Sequence, residues 1–339
     1  MNMKRFLTIL VLGLLLVSCG TQSRKGAAQS GETTTAFVPQ SNTTDPSAPA
    51  VYFTSDISAA GLVRIYNALP RKASGRVAVK ISTGESAQTY YLRPEFIGDL
   101  VHAVNGTLVE CNTGYGGNRS TTEAHRKAIA ERGFEKVAPV DIMDAEGEIR
   151  LPVKDKSHIA YDIVGDHINN YDFMINLAHF KGHEMGGFGG VLKNQSIGVA
   201  SSAGKLYIHS AGRSTTRWLS DDQDGFLESM AAAAQAVADH FGDKILYINV
   251  MNNMSVDCDC NAHPAAPRLK DVGILASVDP VALDKACVDI VFGHESTKGD
   301  DAAPLQKRIR EKHGLLTIEH AEKIGLGTTK YRIVNIDAQ

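Results

Sequence analysis

The sequence predicts an α/β fold, a mainly parallel sheet covered by helices, in one body or two lobes. Three observations lead there. From Val51 onward, short apolar runs alternate with helix-like segments in a βαβ rhythm. Several of those runs, such as Asp-Phe-Met-Ile-Asn-Leu at 172–177, read as buried strands rather than half-exposed ones. The glycine-rich and polar loops follow strands, where sites gather in such sheets.

The elements run in order. Ser55 is the expected cap of a helix reaching Leu69, and Arg76–Ile81 reads as a strand. Pro94 suits the first turn of a helix to about Val104. Thr107–Cys111 reads as a strand, Thr121–Arg132 as a helix stopped by Gly133, and Val137–Ile142 as a strand. In the second half, Asp172–Leu177, Lys244–Val250 and Asp271–Ala276 read as strands. Phe226–His240 is an alanine-rich helix, and Asp279–Phe292 a helix with Pro280 in its first turn. Short helices are expected near Pro304–Lys312 and Thr317–Ile324, with Tyr331–Ile336 as a closing strand.

The first residues carry an address. Lys4 and Arg5 precede an apolar run from Phe6 to Val17, ending Leu-Val-Ser-Cys at 16–19. An apolar core of about a dozen residues is too short to span a bilayer stably and suits a signal peptide. The ending resembles the lipobox of bacterial lipoproteins. The expectation is a leader over residues 1–18, lipid on Cys19, and an extracytoplasmic protein held on a membrane. Gly20–Ala50 is rich in Ser, Thr, Gln, Gly and Pro and reads as a flexible tether with a reach of about 30 Å. The α/β domain then occupies residues 51–339.

Composition narrows the partners. The chain has 35 Lys+Arg against 38 Asp+Glu, a net charge of −3, and loss of Lys4 and Arg5 makes it −5. No basic block exists beyond the leader, which disfavours nucleic acid. Past Cys19 the only cysteines are Cys111, Cys258, Cys260 and Cys287, too few for a disulfide scaffold in a body this long.

Three loops carry candidate chemistry. The first, Asn112–Glu123, holds Gly114, Gly116, Gly117, Asn118 and Arg119 before a helix start. Free N–H groups there suit a phosphate or carboxylate, and a plain connector capped by Ser120 or Thr121 fits equally well. The second runs from His179 to Gly198, with five glycines between Gly182 and Gly190. Such a run costs backbone entropy, yet it is packed with ionisable groups: Lys181, His183 and Lys193. Histidine moves protons near neutral pH, and lysine holds an anion or acts as a nucleophile. Lys181, His183 and Lys193 are therefore the candidate catalytic residues, with Gly187, Gly190, Asn194, Asn118 and Arg119 as candidate ligand contacts. The third loop, Asn252–Pro264, contains Cys258, Cys260 and His263. Two thiols one residue apart can share a transition metal ion with a histidine. A disulfide or two free thiols fit the same spacing. Trp218, after a basic polar stretch, is expected as a packing anchor.

Lys181-Gly182-His183, the glycine run and Lys193-Asn194 resemble the signature of the family called domain of unknown function 362. So do Asp271–Ser277, Asp279–Asp284 and Cys258-Asp259-Cys260. The likeness covers most of Val51–Gln339. Some members carry ferredoxin modules, and this chain lacks the Cys-x-x-Cys-x-x-Cys run such a module needs. A fainter likeness is to nickel-pincer lactate racemases. There a histidine precedes a glycine-rich turn and a lysine ten residues on binds the cofactor, as His183 and Lys193 are spaced here. That resemblance implies His209 as a nickel ligand. It also places Asn118 where a second catalytic histidine would be, and an amide cannot transfer that proton.

Three functions follow as expectations. One is an extracytoplasmic enzyme or redox protein whose site joins His183, Lys193 and His209 with the Cys258–Cys260 loop, around a metal or without one. Another is a non-catalytic lipoprotein that binds a small anionic ligand. The third is a structural surface protein whose loops are relics.

Overall fold

Apolar runs bounded by caps and turns build one large sheet, and the loops at one end of it gather the charged residues. The structure, a computed structural model, describes residues 38–338. The expected leader, Cys19 and the part of the expected tether up to residue 37 lie outside them.

The first half contains β1 (Ala50–Thr54), α1 (Ala59–Ala68), β2 (Val77–Lys80), α2 (Pro94–Ala103), β3 (Gly106–Glu110), α3 (Thr122–Glu131) and β4 (Val140–Ile142). A hairpin of β5 (Glu148–Pro152) and β6 (Tyr161–Gly165) leads to β7 (Phe173–His179). A second hairpin, β8 (Lys181–His183) and β9 (Gly187–Gly189), runs into α4 (Val191–Ser196). Then come α5 (Ser202–His209), α6 (Gln223–Phe241), β10 (Ile245–Met251), β11 (Gly273–Ser277) and α7 (Pro280–Gly293). The chain closes with α8 (Ala303–Glu311), α9 (Leu315–Lys323) and β12 (Arg332–Asn335).

Eight strands form the main sheet in the order β12-β1-β11-β10-β7-β2-β3-β4. Only β11 runs antiparallel to its neighbours; every other pairing is parallel. The mainly parallel α/β expectation holds, and the described residues belong to one compact unit rather than two lobes. Both faces are covered. Phe173, Ile175 and Leu177 pack toward α1 and α2, while Met174 and Ala178 pack toward the α4–α9 side. That double burial is why the strands read as continuous apolar runs.

Caps fix the helix starts. Thr121 accepts the N–H of Ala124, and Asp279 accepts those of Val281 and Ala282 ahead of Pro280. Ser58, not Ser55, caps α1; Ser55 instead donates to Asp337. The strand expected at Val137–Ile142 forms only over its last three residues. Strand β1 went unread because five residues carry little period of their own; they are fixed by pairing with β11 and β12. The described part of the expected tether, residues 38–50, is bonded to the body. Asn42 donates to the Thr329 carbonyl and accepts the Tyr331 N–H, Ser41 accepts the Ile333 N–H, and Ala48 is buried. The stretch read as one long glycine loop is the β8–β9 hairpin followed by α4.

Candidate functional site

Strands β2, β3 and β7 end in Lys80, Glu110 and His179, three buried polar residues at the carboxyl edge of the sheet. With the β8–β9 hairpin, α4, α5 and the loop after β10 they enclose a cavity of about 270 Å³. Lys80, Lys181, Lys193, Lys205 and Arg119 line it, against Glu110, Glu184 and Asp259.

Two buried ion networks set its electrostatics. Glu110 lies 2.9 Å from Lys80 Nζ and 3.4 Å from Arg119 Nη1, and Arg119 Nε reaches Glu85 at 3.1 Å. Burial pulls the Glu110 carboxyl up, but Lys80 and Arg119 outweigh it and hold it down to about 2. Asp259 pairs with Lys181 and lies 3.1 Å from His179 Nδ1. Burial works against its charge too, and Lys181 with His179 hold it well below the usual carboxylate range. These pairs leave two amines without a carboxylate, and of them Lys205 Nζ donates to the Ala200 carbonyl. Lys193 Nζ makes no hydrogen bond or ion pair among the described residues. Burial, and then the nearby Lys181, Arg119 and Lys80, push it down to about 7. Asn194 beside it is a clamp, accepting from Lys80 Nζ at 3.2 Å and donating to Asn176 Oδ1 at 2.7 Å.

His183 is held in one tautomer. Its Nδ1 accepts the backbone N–H of Gly186 at 2.8 Å and of Met185 at 3.3 Å, so the ring hydrogen sits on Nε2. Burial first, then Lys193, His209 and Lys181, hold the ring well below the usual imidazole range and keep it neutral. Nε2 lies 3.9 Å from Cys260 Sγ. His209 has the opposite tautomer: Nδ1 donates to the Lys205 carbonyl at 2.7 Å, leaving Nε2 bare. Its ring stacks between Phe226 and Trp218, with centroids 4.6 and 4.4 Å away. Burial pushes it down to about 3, against the pull of its Lys205 bond. Trp218 thus packs as expected, but over the cavity rather than in the core; it is 40% exposed.

Cys258 and Cys260 are joined in a disulfide, while Cys111 and Cys287 are buried and free. A ring nitrogen of His183 and the two sulfurs all lie within 4.8 Å of one another, close enough for one metal ion. The residue types suit a soft ion. The atoms presented do not: His183 turns an N–H, not a lone pair, toward the sulfurs, and sulfurs bonded to each other are not thiolate ligands.

Lys181, His183, Lys193, Gly190, Asn194, Arg119, His209, Cys258 and Cys260 therefore all line one cavity. Three expected residues do not. His263 is exposed and belongs to no metal-sized cluster, because the turn after Cys260 folds outward and its N–H is taken by Asn261. Gly187 faces the turn between α8 and α9, where a Cβ would sit 2.9 Å from Gly314 Cα. Asn118 is tied to the Glu85 carbonyl and borders a neighbouring cavity instead. His209 shares the cavity but not the His183–cysteine cluster. Lys80, Glu110, Asp259 and Lys205 were not singled out from the sequence. The first two had a signal, a charge at the carboxyl end of an apolar strand run.

A family model described as Domain of unknown function (DUF362) matches residues 77–289. No curated protein matches. Among solved structures, the lactate racemase apoprotein from Thermoanaerobacterium thermosaccharolyticum is similar at 14% identity and a TM-score of 0.43. That match covers 72% of this chain and 57% of that one. A protein from Thermotoga maritima is similar at 13% identity and a TM-score of 0.43, over 68% of this chain and 57% of its own. The chain thus spans just over half the length of each of these proteins.

Proposed function

The chain belongs to the DUF362 family, and from that premise we propose that its cavity binds a small anionic ligand, on a protein exported and lipid-anchored through Cys19. The observation that carries the ligand is Lys193. Among the described residues its Nζ has no hydrogen-bond or ion-pair partner, whereas Lys205, also without a carboxylate, donates to the Ala200 carbonyl; Lys193 stands among Lys80, Lys181 and Arg119 in a space of small-molecule size. A carboxylate or phosphate oxygen on Nζ would neutralise it with a charge-assisted bond.

The test is calorimetric titration of the protein with malonate and with phosphate. Binding of either that is lost in Lys193→Ala and kept in His183→Ala supports a binding site. Loss in neither variant sinks the assignment to Lys193. The anchor is tested separately by fatty-acid labelling in cells, which Cys19→Ser should abolish.

A racemase-like reading draws support from Lys193 and His209 sharing the cavity. It lacks its second proton carrier, because Asn118 has no acid–base chemistry and points its amide at Glu85.

A further inference from the structure

We propose that Cys258 and Cys260 are a working dithiol–disulfide pair, which exchanges with a small anionic disulfide drawn into the cavity. The proposal rests on the anionic-ligand reading for its substrate class, not for its chemistry. Four observations carry it.

The pair is reachable. Both cysteines line the main cavity and also a second one of about 500 Å³ that Gly117 and Asn118 border. Cys111 also lines the main cavity, but its thiol is fully buried and donates to the Val199 carbonyl, and Cys287 is buried in the core; burial pushes both thiols up.

Each sulfur meets a hydrogen-bond donor. The Cys260 N–H lies 3.3 Å from Cys258 Sγ, and His183 Nε2–H faces Cys260 Sγ at 3.9 Å. A donor at sulfur stabilises the thiolate that exchange must form and release. His183 does this as a neutral hydrogen-bond donor and delivers no proton, since its Nδ1 is committed to two backbone N–H groups.

The residue between them is pinned. Asp259 is held by Lys181 and His179, and its carbonyl accepts the Glu85 N–H at 2.7 Å. Reduction therefore leaves the two thiols where they can close again. Finally, the cations beside the pair favour a negative partner, and Lys193 has no competing anion of its own.

The exchange balances as follows. In the reduced pair the Cys260 thiolate, the less buried of the two, attacks one sulfur of R–S–S–R. A Cys260–S–S–R bond forms, the S–S bond of the substrate breaks, and R–S⁻ leaves. The proton of the Cys258 thiol passes to solvent. The Cys258 thiolate then attacks Cys260 Sγ, closes the Cys258–Cys260 bond and releases a second R–S⁻. Two electrons move from the dithiol to the disulfide, and the two R–S⁻ take up from solvent the two protons that Cys260 and Cys258 gave to it. The reverse direction consumes a small anionic thiol.

For the test, the full chain carrying Cys19→Ser is reduced and freed of reductant. It is mixed with 3,3′-dithiodipropionate, a dianionic disulfide, or with bis(2-hydroxyethyl) disulfide, a neutral one. Released thiol is measured, and alkylation with mass mapping identifies the cysteines oxidised. The expected result is two equivalents of thiol per chain, with Cys258 and Cys260 the residues lost to alkylation. The dianion should react about tenfold faster than the neutral disulfide, the worth of one charge-assisted contact, and Lys193→Ala should bring the two rates together.

No oxidation of the pair by either disulfide or by scrambled ribonuclease overturns the exchange. Equal rates in the unaltered site overturn the anionic-ligand reading and leave the exchange standing. Oxidation only by a protein disulfide, scrambled ribonuclease, overturns the small-molecule assignment. His183→Phe should move the pH–rate midpoint up by about one unit, and His183→Gln, which keeps an N–H, should restore it. An unmoved midpoint overturns the role given to His183. Where a variant fails to fold, iodoacetamide kinetics on the parent protein decide. A thiol midpoint below the usual value of about 8.5 supports the proposal, and one at or above it overturns it.

Discussion

Lys80 and Glu110 close a buried ion pair, 2.9 Å from Nζ to Oε2, between the last residues of two neighbouring parallel strands. The pair and Arg119 form one wall of the cavity, so site and sheet are stabilised by the same contacts. Glu110→Gln leaves the Lys80 ammonium buried without its counter-charge. Breaking such a pair costs about 3–5 kcal/mol. Urea unfolding should show a loss of that size, and a loss under about 1 kcal/mol, the surface range, would mean the pair is solvated.

Ligand affinity should depend on pH through Lys193. Free, its ammonium titrates at about 7; a bound anion raises that value. Binding is then strongest below pH 7 and weakens as pH rises through 7, up to tenfold per unit. Lys193→Ala should cost about 2 kcal/mol, roughly thirtyfold in Kd, and flatten the pH dependence. Titrations with malonate at pH 6, 7 and 8 check both.

Acid should destabilise the fold early. His125 and His209 are held neutral, each pushed down to about 3 mainly by burial. The unfolded chain binds their protons near pH 6.5 and the folded chain refuses them. The stability they add is complete above pH 6.5 and is lost as pH falls from there toward 3. Each contributes a slope of about 1.4 kcal/mol per pH unit. Denaturation at pH 7, 6 and 5 measures the slope, and His209→Phe should reduce it.

Gly182 sits where a side chain has no room. A Cβ there would lie 2.2 Å from the Val256 carbonyl oxygen. Gly182→Ala must push the strand carrying His183 away from the segment leading to Cys258. The expected cost is about 1–3 kcal/mol, an overpacking effect. Alkylation of the reduced pair should also slow at neutral pH as His183 leaves Cys260.

Metal content separates the two fates of the cysteines. The purified oxidised protein should carry substoichiometric transition metal and release two further thiols on reduction. One tightly held equivalent of metal, lost in Cys260→Ser, would show instead that the cysteines serve as thiolate ligands.

The fold class and most of the helices and long strands were legible because their signals are local. Proline and aspartate at 279–280, threonine at 121 and the apolar run at 172–177 act within a turn or a strand. The candidate residues around His183, Lys193 and Cys260 were also legible, since glycine-rich backbone dense in ionisable groups is uncommon. What failed was long-range. Strand β1 exists only through its partners. His263 has a ligand's chemistry and spacing but sits on the wrong side of a turn. The charge of Asp259 looked like an ordinary polar position until Lys181 and His179 were placed beside it.

The sequence alone determined a βαβ order and the residue types of the site. Only the tertiary structure decided that Cys258 bonds Cys260, that His183 turns an N–H toward them, and that Lys193 is left without a bonded partner. The reason is physical. Capping and hydrophobic period are written over neighbouring residues. Tautomer, burial and charge pairing depend on atoms supplied by strands and loops dozens of residues apart.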